Sequence, residues 1–306
     1  MKLRSTIIIA TLAAATMLIA GCKKDGIYRP GDKLARISEY YEKAHQRYDP
    51  ETKLWRTIHK DSTARRDKEK WTWNGKQLHH IDIYSQGTKT GTVAFVYDGN
   101  RLARANFSAT GLYAEYTYDG RKLSSVVVKN KKGETEMSET FEYDGKKIST
   151  IHVTLPNTQL VVYGAQALMP VLGDAQVASD IAAASHKAAA SKALELVLDI
   201  AWKGDNIRSV TDRTTGGTTT YSYDDKTNPL RGLLTTHEGV GGQSNEYAFA
   251  NRNNIIAASY GDQKMSYTFT YSTDLPTSRS RSVVDHYTQG YRYVETYIDY
   301  YEYVEE

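Results

Sequence analysis

Tyr116-Thr117-Tyr118-Asp119-Gly120-Arg121-Lys122-Leu123-Ser124-Ser125-Val126 reads as the end of one strand, a tight turn and the start of a returning strand. Asp-Gly flanked by alternating residues is a strong short-range hairpin signal. A two-residue type I′ turn needs positive φ at both central positions, and its twist matches the flanking strands. Variants of the stretch run along most of the chain. Gly31-Asp32-Lys33-Leu34-Ala35-Arg36-Ile37, Gly99-Asn100-Arg101-Leu102-Ala103-Arg104-Ala105 and Gly145-Lys146-Lys147-Ile148-Ser149-Thr150-Ile151 share its register, with weaker copies at Lys53-Leu54-Trp55-Arg56 and Trp73-Asn74-Gly75-Lys76-Gln77-Leu78. The anchors Leu34, Leu54, Leu78, Leu102, Leu123 and Ile148 then step by 20, 24, 24, 21 and 25 residues, room for two strands and two turns per unit.

From Pro156 the pattern stops. Ala165 to Ala193 is Ala-rich, and Val177, Ile181, Ala184, Ala188 and Leu194 have the spacing of a helix with one apolar face, with Asp174 as its N-cap. A helical insertion is expected at about 160–197, covering a face of the sheet or plugging an opening. The array resumes with anchors Ile207, Leu230, Ile255 and Leu275, 23, 25 and 20 residues apart, and ends in an alternating strand from Tyr291 to Val304. Leu34, Ile37, Tyr41, Ala44 and Tyr48 also fit a helical stripe, but the repeat favours a strand over at least the first half of that segment. Ten units imply near twenty short strands, more than an open twisted sheet holds without curling. The expected fold is mainly β: a long antiparallel meander of β-hairpin repeats in a strongly twisted or partly rolled sheet, with one helical insertion. Aromatic-x-aromatic pairs such as Trp71/Trp73, Phe95/Tyr97 and Tyr116/Tyr118 should stack as ladders on one face.

Lys2-Leu3-Arg4 followed by the apolar run Ile7 to Ala20 has the layout of a secretory leader, too short for a comfortable membrane span. Leu18-Ile19-Ala20-Gly21-Cys22 resembles the bacterial lipobox, whose Cys takes the lipid, palmitate among its chains, and becomes the first mature residue. The expected organisation is a lipoprotein signal peptide at 1–21, a tether at 22–30 and the β domain at 31–306. Cys22 is the single cysteine of the chain, so the mature protein has no disulfide. Several acyl chains there would anchor the protein stably. Losing Lys2 and Arg4 leaves 37 basic against 36 acidic side chains, a balance that argues against a nucleic-acid partner.

The repeat resembles the YD-repeat (RHS-like) family, whose unit is an aromatic-x-Tyr-Asp turn followed by Gly and a Leu-x-x-Ile strand. The second half, with Tyr223-Asp224-Asp225-Lys226-Thr227-Asn228-Pro229-Leu230-Arg231-Gly232-Leu233 and Asn253-Asn254-Ile255, is similar to Bacteroidota cell-envelope lipoproteins built on a YD-repeat-like domain of unknown function. The resemblance covers about 31–155 and 198–306. It implies an extended antiparallel sheet and an anchored, extracytoplasmic life, and it brings no catalytic residues; Lys23 directly after Cys22 resembles lipoproteins sent on to the outer membrane.

Little in the chain announces chemistry. The eight histidines (45, 59, 79, 80, 152, 186, 237 and 286) show no metal spacing, and His79 and His80 should point to opposite faces of a strand. Gly239-Val240-Gly241-Gly242 lies between strands, where a hairpin loop fits better than a phosphate cradle. The Asp of each turn offers one carboxylate, whereas calcium takes six to eight oxygens, so these Asp are read as turn formers. Neither a cofactor nor a metal is implied, and no catalytic residue is assigned. Trp55, Trp71, Trp73 and Trp202, with the C-terminal tyrosines, are the candidate ligand platform, with the core face of the sheet as their alternative place. The expected function is that of a lipid-anchored, non-catalytic binding or structural module whose partners are the membrane and a glycan or envelope protein. A glycan-binding surface lipoprotein and a polysaccharide hydrolase are the specific alternatives.

Overall fold

A computed structural model of the chain describes residues 26–156, 194–234 and 249–305, apart from the side chains of Leu194, Gln263, His286 and Tyr287. The leader, Cys22, the glycine run at 239–242 and the expected helix up to residue 193 lie outside the described residues. Where the expected insertion enters them, at Leu194, the chain is a strand: Leu-Glu-Leu-Val-Leu-Asp-Ile alternates with period two, and the preceding hairpin pairs with it.

The first strand, β1 (Leu34–Asp49), is extended over its whole length and is followed by β2 (Leu54–Ser62). Hairpins then succeed one another: β3 (Arg66–Asn74) with β4 (Gln77–Ser85), β5 (Thr88–Asp98) with β6 (Arg101–Phe107), and β7 (Leu112–Asp119) with β8 (Lys122–Lys129). They continue as β9 (Thr135–Asp144) with β10 (Lys147–Leu155), β11 (Leu194–Lys203) with β12 (Asn206–Asp212), and β13 (Thr218–Thr227) with β14 (Asn253–Tyr260). Two short strands, β15 (Gln263–Ser266) and β16 (Thr268–Ser272), precede the long pair β17 (Leu275–Thr288) and β18 (Tyr291–Tyr303).

Each strand from β3 to β14 pairs antiparallel with the next. The free edge of β3 pairs with β1, β1 with β18, β18 with β17 and β17 with β16. β15 and β16 are consecutive segments joined at Tyr267, whose amide donates to the Ile256 carbonyl at 2.8 Å; one segment pairs with β14 and the other with β17. The sheet therefore returns on itself as a nearly closed barrel.

Its interior is filled. Leu34, Ile37, Leu78, Ile81, Ile151, Leu198 and Ile207 are among the most deeply buried side chains and belong to one apolar cluster. Chain also enters the interior. Tyr28 is buried there and donates to the Pro229 carbonyl at 2.7 Å, and Leu230, Leu233 and Leu234 pack in the same cluster. Residues 26–30, the described part of the expected tether, thus pack against the barrel. Outward positions such as Lys70, Thr72 and Asn74, or Thr140, Glu142 and Asp144, are polar and exposed. Barrels that span membranes have the opposite arrangement, an apolar outer band around a polar lumen.

The turn chemistry differs from the expected type I′. Asp119 pairs with Lys122, so Gly120 and Arg121 are the two loop residues, and Gly120 alone has positive φ, +57°. Gly75, Gly99, Gly145 and Gly204 repeat this at +56° to +58°, the pattern of a type II′ turn with Gly at its first central position.

A second device recurs beside each turn. Opposite Tyr118 the ladder slips by one residue: Leu123 faces Tyr118 while Ser125 faces Thr117, leaving Ser124 as a bulge. The anchor Leu123 therefore lies just beyond the first rung of the next ladder, Ser125 with Thr140, and its carbonyl would lack a donor. The Tyr143 hydroxyl of the next unit donates to it at 2.8 Å. The same link joins Trp73 to Leu34, Tyr97 to Leu78, Tyr118 to Leu102, Trp202 to Ile148, Tyr223 to Ile207 and Tyr303 to Pro276, at 2.6 to 3.0 Å. Tyr271 departs, donating to the Asp224 carboxylate. The second aromatics Trp73, Tyr97, Tyr118, Tyr143 and Tyr223 are thus held by the carbonyls of the preceding anchors. Counted by their bulged anchors, eight units lie among the described residues. Leu54 is 63% exposed on β2, Leu230 sits in the interior segment, and Pro276 takes the place expected of Leu275.

Candidate functional site

Strands β1, β2, β17 and β18 continue past the barrel. β1 pairs with β3 only through Glu39, and from Glu42 onward with β2; β17 leaves β16 after Ser280. At about 3.3 Å per residue, β1 spans roughly 50 Å, about 20 Å more than a strand of nine or ten residues. The result is a four-stranded projection in the order β2-β1-β18-β17. The starting end of β1 lies at the rim of glycine turns, opposite the projection, where Lys33 donates to the Gly75 carbonyl at 2.7 Å.

The face continuing the barrel interior carries an ordered set of polar aromatics. Glu295 accepts from the Tyr41 hydroxyl at 2.8 Å and the Tyr297 hydroxyl at 2.9 Å, with the Lys43 ammonium 3.5 Å away. Those two hydroxyls, with Lys43, hold the Glu295 carboxyl below its usual range. That suits a hydrogen-bond acceptor better than a proton donor. Burial and the bond to Glu295 push Tyr41 up to about 12. Lys43 also lies 3.8 Å from the Tyr293 ring centre, and the Tyr293 hydroxyl donates to Asp285 at 2.6 Å. His45 and His59 face each other across β1 and β2 at 5.8 Å, with Asp61 beside both.

The opposite face carries Trp55. Its ring meets Tyr48 at 5.3 Å, and the Arg292 guanidinium lies 4.4 Å over it while donating to Gln46 at 2.8 Å. Behind them, on the other face of the sheet by the strand alternation, Asp49 and Arg56 form an ion pair at 2.7 Å. Exposed apolar side chains gather on the same projection: Tyr48, Leu54, Ile58, Val283 and Val284.

The four tryptophans do not form one platform. Trp71 is buried in the barrel and donates to Glu69 at 2.9 Å. Trp73 and Trp202 pack on the core and serve as donors to Leu34 and Ile148, with Lys33 and Lys147 over their rings. Tyr28 joins Trp71 and Trp73, at 6.4 and 5.7 Å. Trp55 alone lies on the projection. Tyr293 belongs to the C-terminal tyrosines of the expected platform, but Tyr41, Tyr48, Glu295 and Arg292 were not singled out from sequence; the signal was the pairing of the two long terminal strands, which no local pattern reveals.

His79 and His80 also differ from expectation. His79 is the bulged residue of its unit, so the two rings come to one side, Nδ1 to Nδ1 at 2.7 Å. Among the described residues no group of three or more His, Cys, Asp or Glu is placed to hold a metal.

No protein-family model matches the chain, and no curated protein does. Among solved structures it is similar to a porin-like protein from Bacteroides uniformis ATCC 8492, 13% identical, with a TM-score of 0.45 and coverage of 89% of this chain and 99% of that one. A porin-like protein from Bacteroides vulgatus ATCC 8482 is 9% identical, with a TM-score of 0.24 over 90% of this chain and 100% of that one.

Proposed function

We propose that this chain is a lipid-tethered, non-catalytic binding module of a bacterial cell envelope, in which the filled barrel is a scaffold and the four-stranded projection holds a glycan. The observation that carries the proposal is the placement of Trp55 and Tyr48 at the tip of the projection, bordered by Gln46 and Arg292. Ring faces edged by amide and guanidinium groups suit a sugar, whose apolar face stacks while its hydroxyls hydrogen-bond. An interior packed with Leu, Ile and Tyr side chains supports a scaffold in preference to a conduit.

The geometry of the two ends supports a tether. Gly26, four residues after Cys22, gives its carbonyl to the Leu102 amide at 2.9 Å, and Arg29 donates to Asn100 in the neighbouring turn at 2.6 Å. The chain therefore enters at the turn rim, the end opposite the tip of β1. A lipid on Cys22 would hold the tip roughly 50 Å from the anchor. The test has two parts: acyl labelling of the full chain against Cys22→Ala, and titration of the full chain in detergent with a panel of neutral polysaccharides. Labelling through Cys22 and saturable binding that leaves the glycan intact are expected; no labelling, no binding, or released oligosaccharide would contradict the proposal.

A further inference from the structure

On strands other than those of the projection, a groove of about 390 Å³ opens on the outer face of β5, β6 and β7, lined by Thr92, Arg104, Asn106, Ser108, Tyr113 and Lys131 among others. We propose that this groove binds the carboxylate of an acidic saccharide. Its volume is at the lower end of ligand sites, enough for one or two sugar rings.

The charge of the groove is built, and its nearby acids are already engaged. Arg104 lies over the Tyr113 ring with its guanidinium carbon 3.6 Å from the ring centre, and its Nε is buried with no hydrogen-bond partner among the described residues. Glu115, directly opposite Arg104 on β7, is held by Lys129 at 2.6 Å, and Asp82, which accepts from Thr92, is held by Lys89 at 2.7 Å. The second cation arrives on an ordered loop. Asn130 Oδ1 accepts from the amides of Lys132 and Glu134, while its Nδ2 donates to Glu134 and Glu136. That fold of the loop lays Lys131 across Gly111, where any Cβ would overlap the lysine chain.

A guanidinium edge stacked on an aromatic ring presents a planar fork of the shape a carboxylate accepts. Thr92, Asn106 and Ser108 add hydroxyl and amide groups of the kind that bind sugar hydroxyls. A carboxylated pyranose satisfies both halves of the groove; a neutral sugar leaves the cations unanswered, and a bare anion leaves the polar wall unused.

The test is calorimetric titration of the full chain in detergent with trigalacturonic acid, galactotriose and inorganic phosphate. Saturable binding of the acidic trimer is expected, weakening as salt rises, with no binding of galactotriose. Arg104→Gln and Lys131→Glu should each weaken it about tenfold or more, the loss of one charge-assisted contact. Lys131 lies in a surface loop, so Lys131→Glu reports even if Arg104→Gln fails to fold. Absence of binding, equal binding of galactotriose, equal displacement by phosphate, or unaltered binding in the folded variants would overturn the proposal.

Discussion

The Tyr118 hydroxyl donates to the Leu102 carbonyl at 2.8 Å, reaching across one hairpin to the residue that anchors the unit before it. Leu102 stands two residues before the first rung of the β6–β7 ladder, so this bond stands in for a rung that the bulge removes. Tyr118→Phe keeps the ring and deletes the donor. It should cost about 1–2 kcal/mol in urea unfolding, and an unchanged midpoint would refute the role assigned to the hydroxyl.

Thr273 occupies the first loop position of the β16–β17 turn with φ at +58°, where the equivalent turns place Gly. A β-branched side chain is strained there. Thr273→Gly is expected to stabilise the fold by about 0.5–1 kcal/mol, the strain relieved less the entropy of Gly. Gly120→Ala should destabilise by about 1 kcal/mol. A Cβ at Gly120 meets nothing within 4 Å, so that cost is purely conformational.

Glu139 faces the apolar interior, and burial pushes its carboxyl up to about 8, from an ordinary value of 4.5. Between those values the native state keeps a proton that the unfolded chain has lost. Stability should therefore fall as pH rises from about 5 to 8, by up to ~1.4 kcal/mol per pH unit, and level off above. Glu139→Gln retains the shape without the titration; its stability should lack this slope and exceed the natural chain's at pH 9. Parallel pH profiles of the two proteins would contradict the assignment.

Burial alone would raise Asp299, but Lys68 and Arg279, each 2.9 Å away, hold it down to about 2. Its contribution is present above about pH 4, the unfolded value, and lost as pH falls toward 2. Asp299→Asn leaves two nearly buried cations without their counter-charge. A loss of about 3–5 kcal/mol is expected at pH 7, read by thermal unfolding, and a shift within error would show the trio to be solvated.

The hairpins were legible because their causes are local. Gly120, its positive φ and the alternating Tyr116 and Tyr118 all lie within a few residues of one another. The same shortness misled at Leu54 and Leu230, which carry the anchor's residue type but lack the bulge and the aromatic opposite it. The bulge also explains why His79 and His80 share a side, since one extra residue reverses the alternation that strand geometry dictates. What local pattern could not supply was the pairing of β1 with β18, residues some 250 positions apart. That pairing closes the barrel and creates the projection, so Trp55 was singled out without the Tyr48 and Arg292 that surround it.

The most direct measurement is tryptophan fluorescence of the full chain in detergent, titrated with neutral polysaccharides and compared with Trp55→Ala and Trp202→Phe. A saturable change present in the natural chain and in Trp202→Phe, but lost in Trp55→Ala, is the predicted result. A change that survives Trp55→Ala, or binding lost in Trp202→Phe alone, would remove the projection from the account.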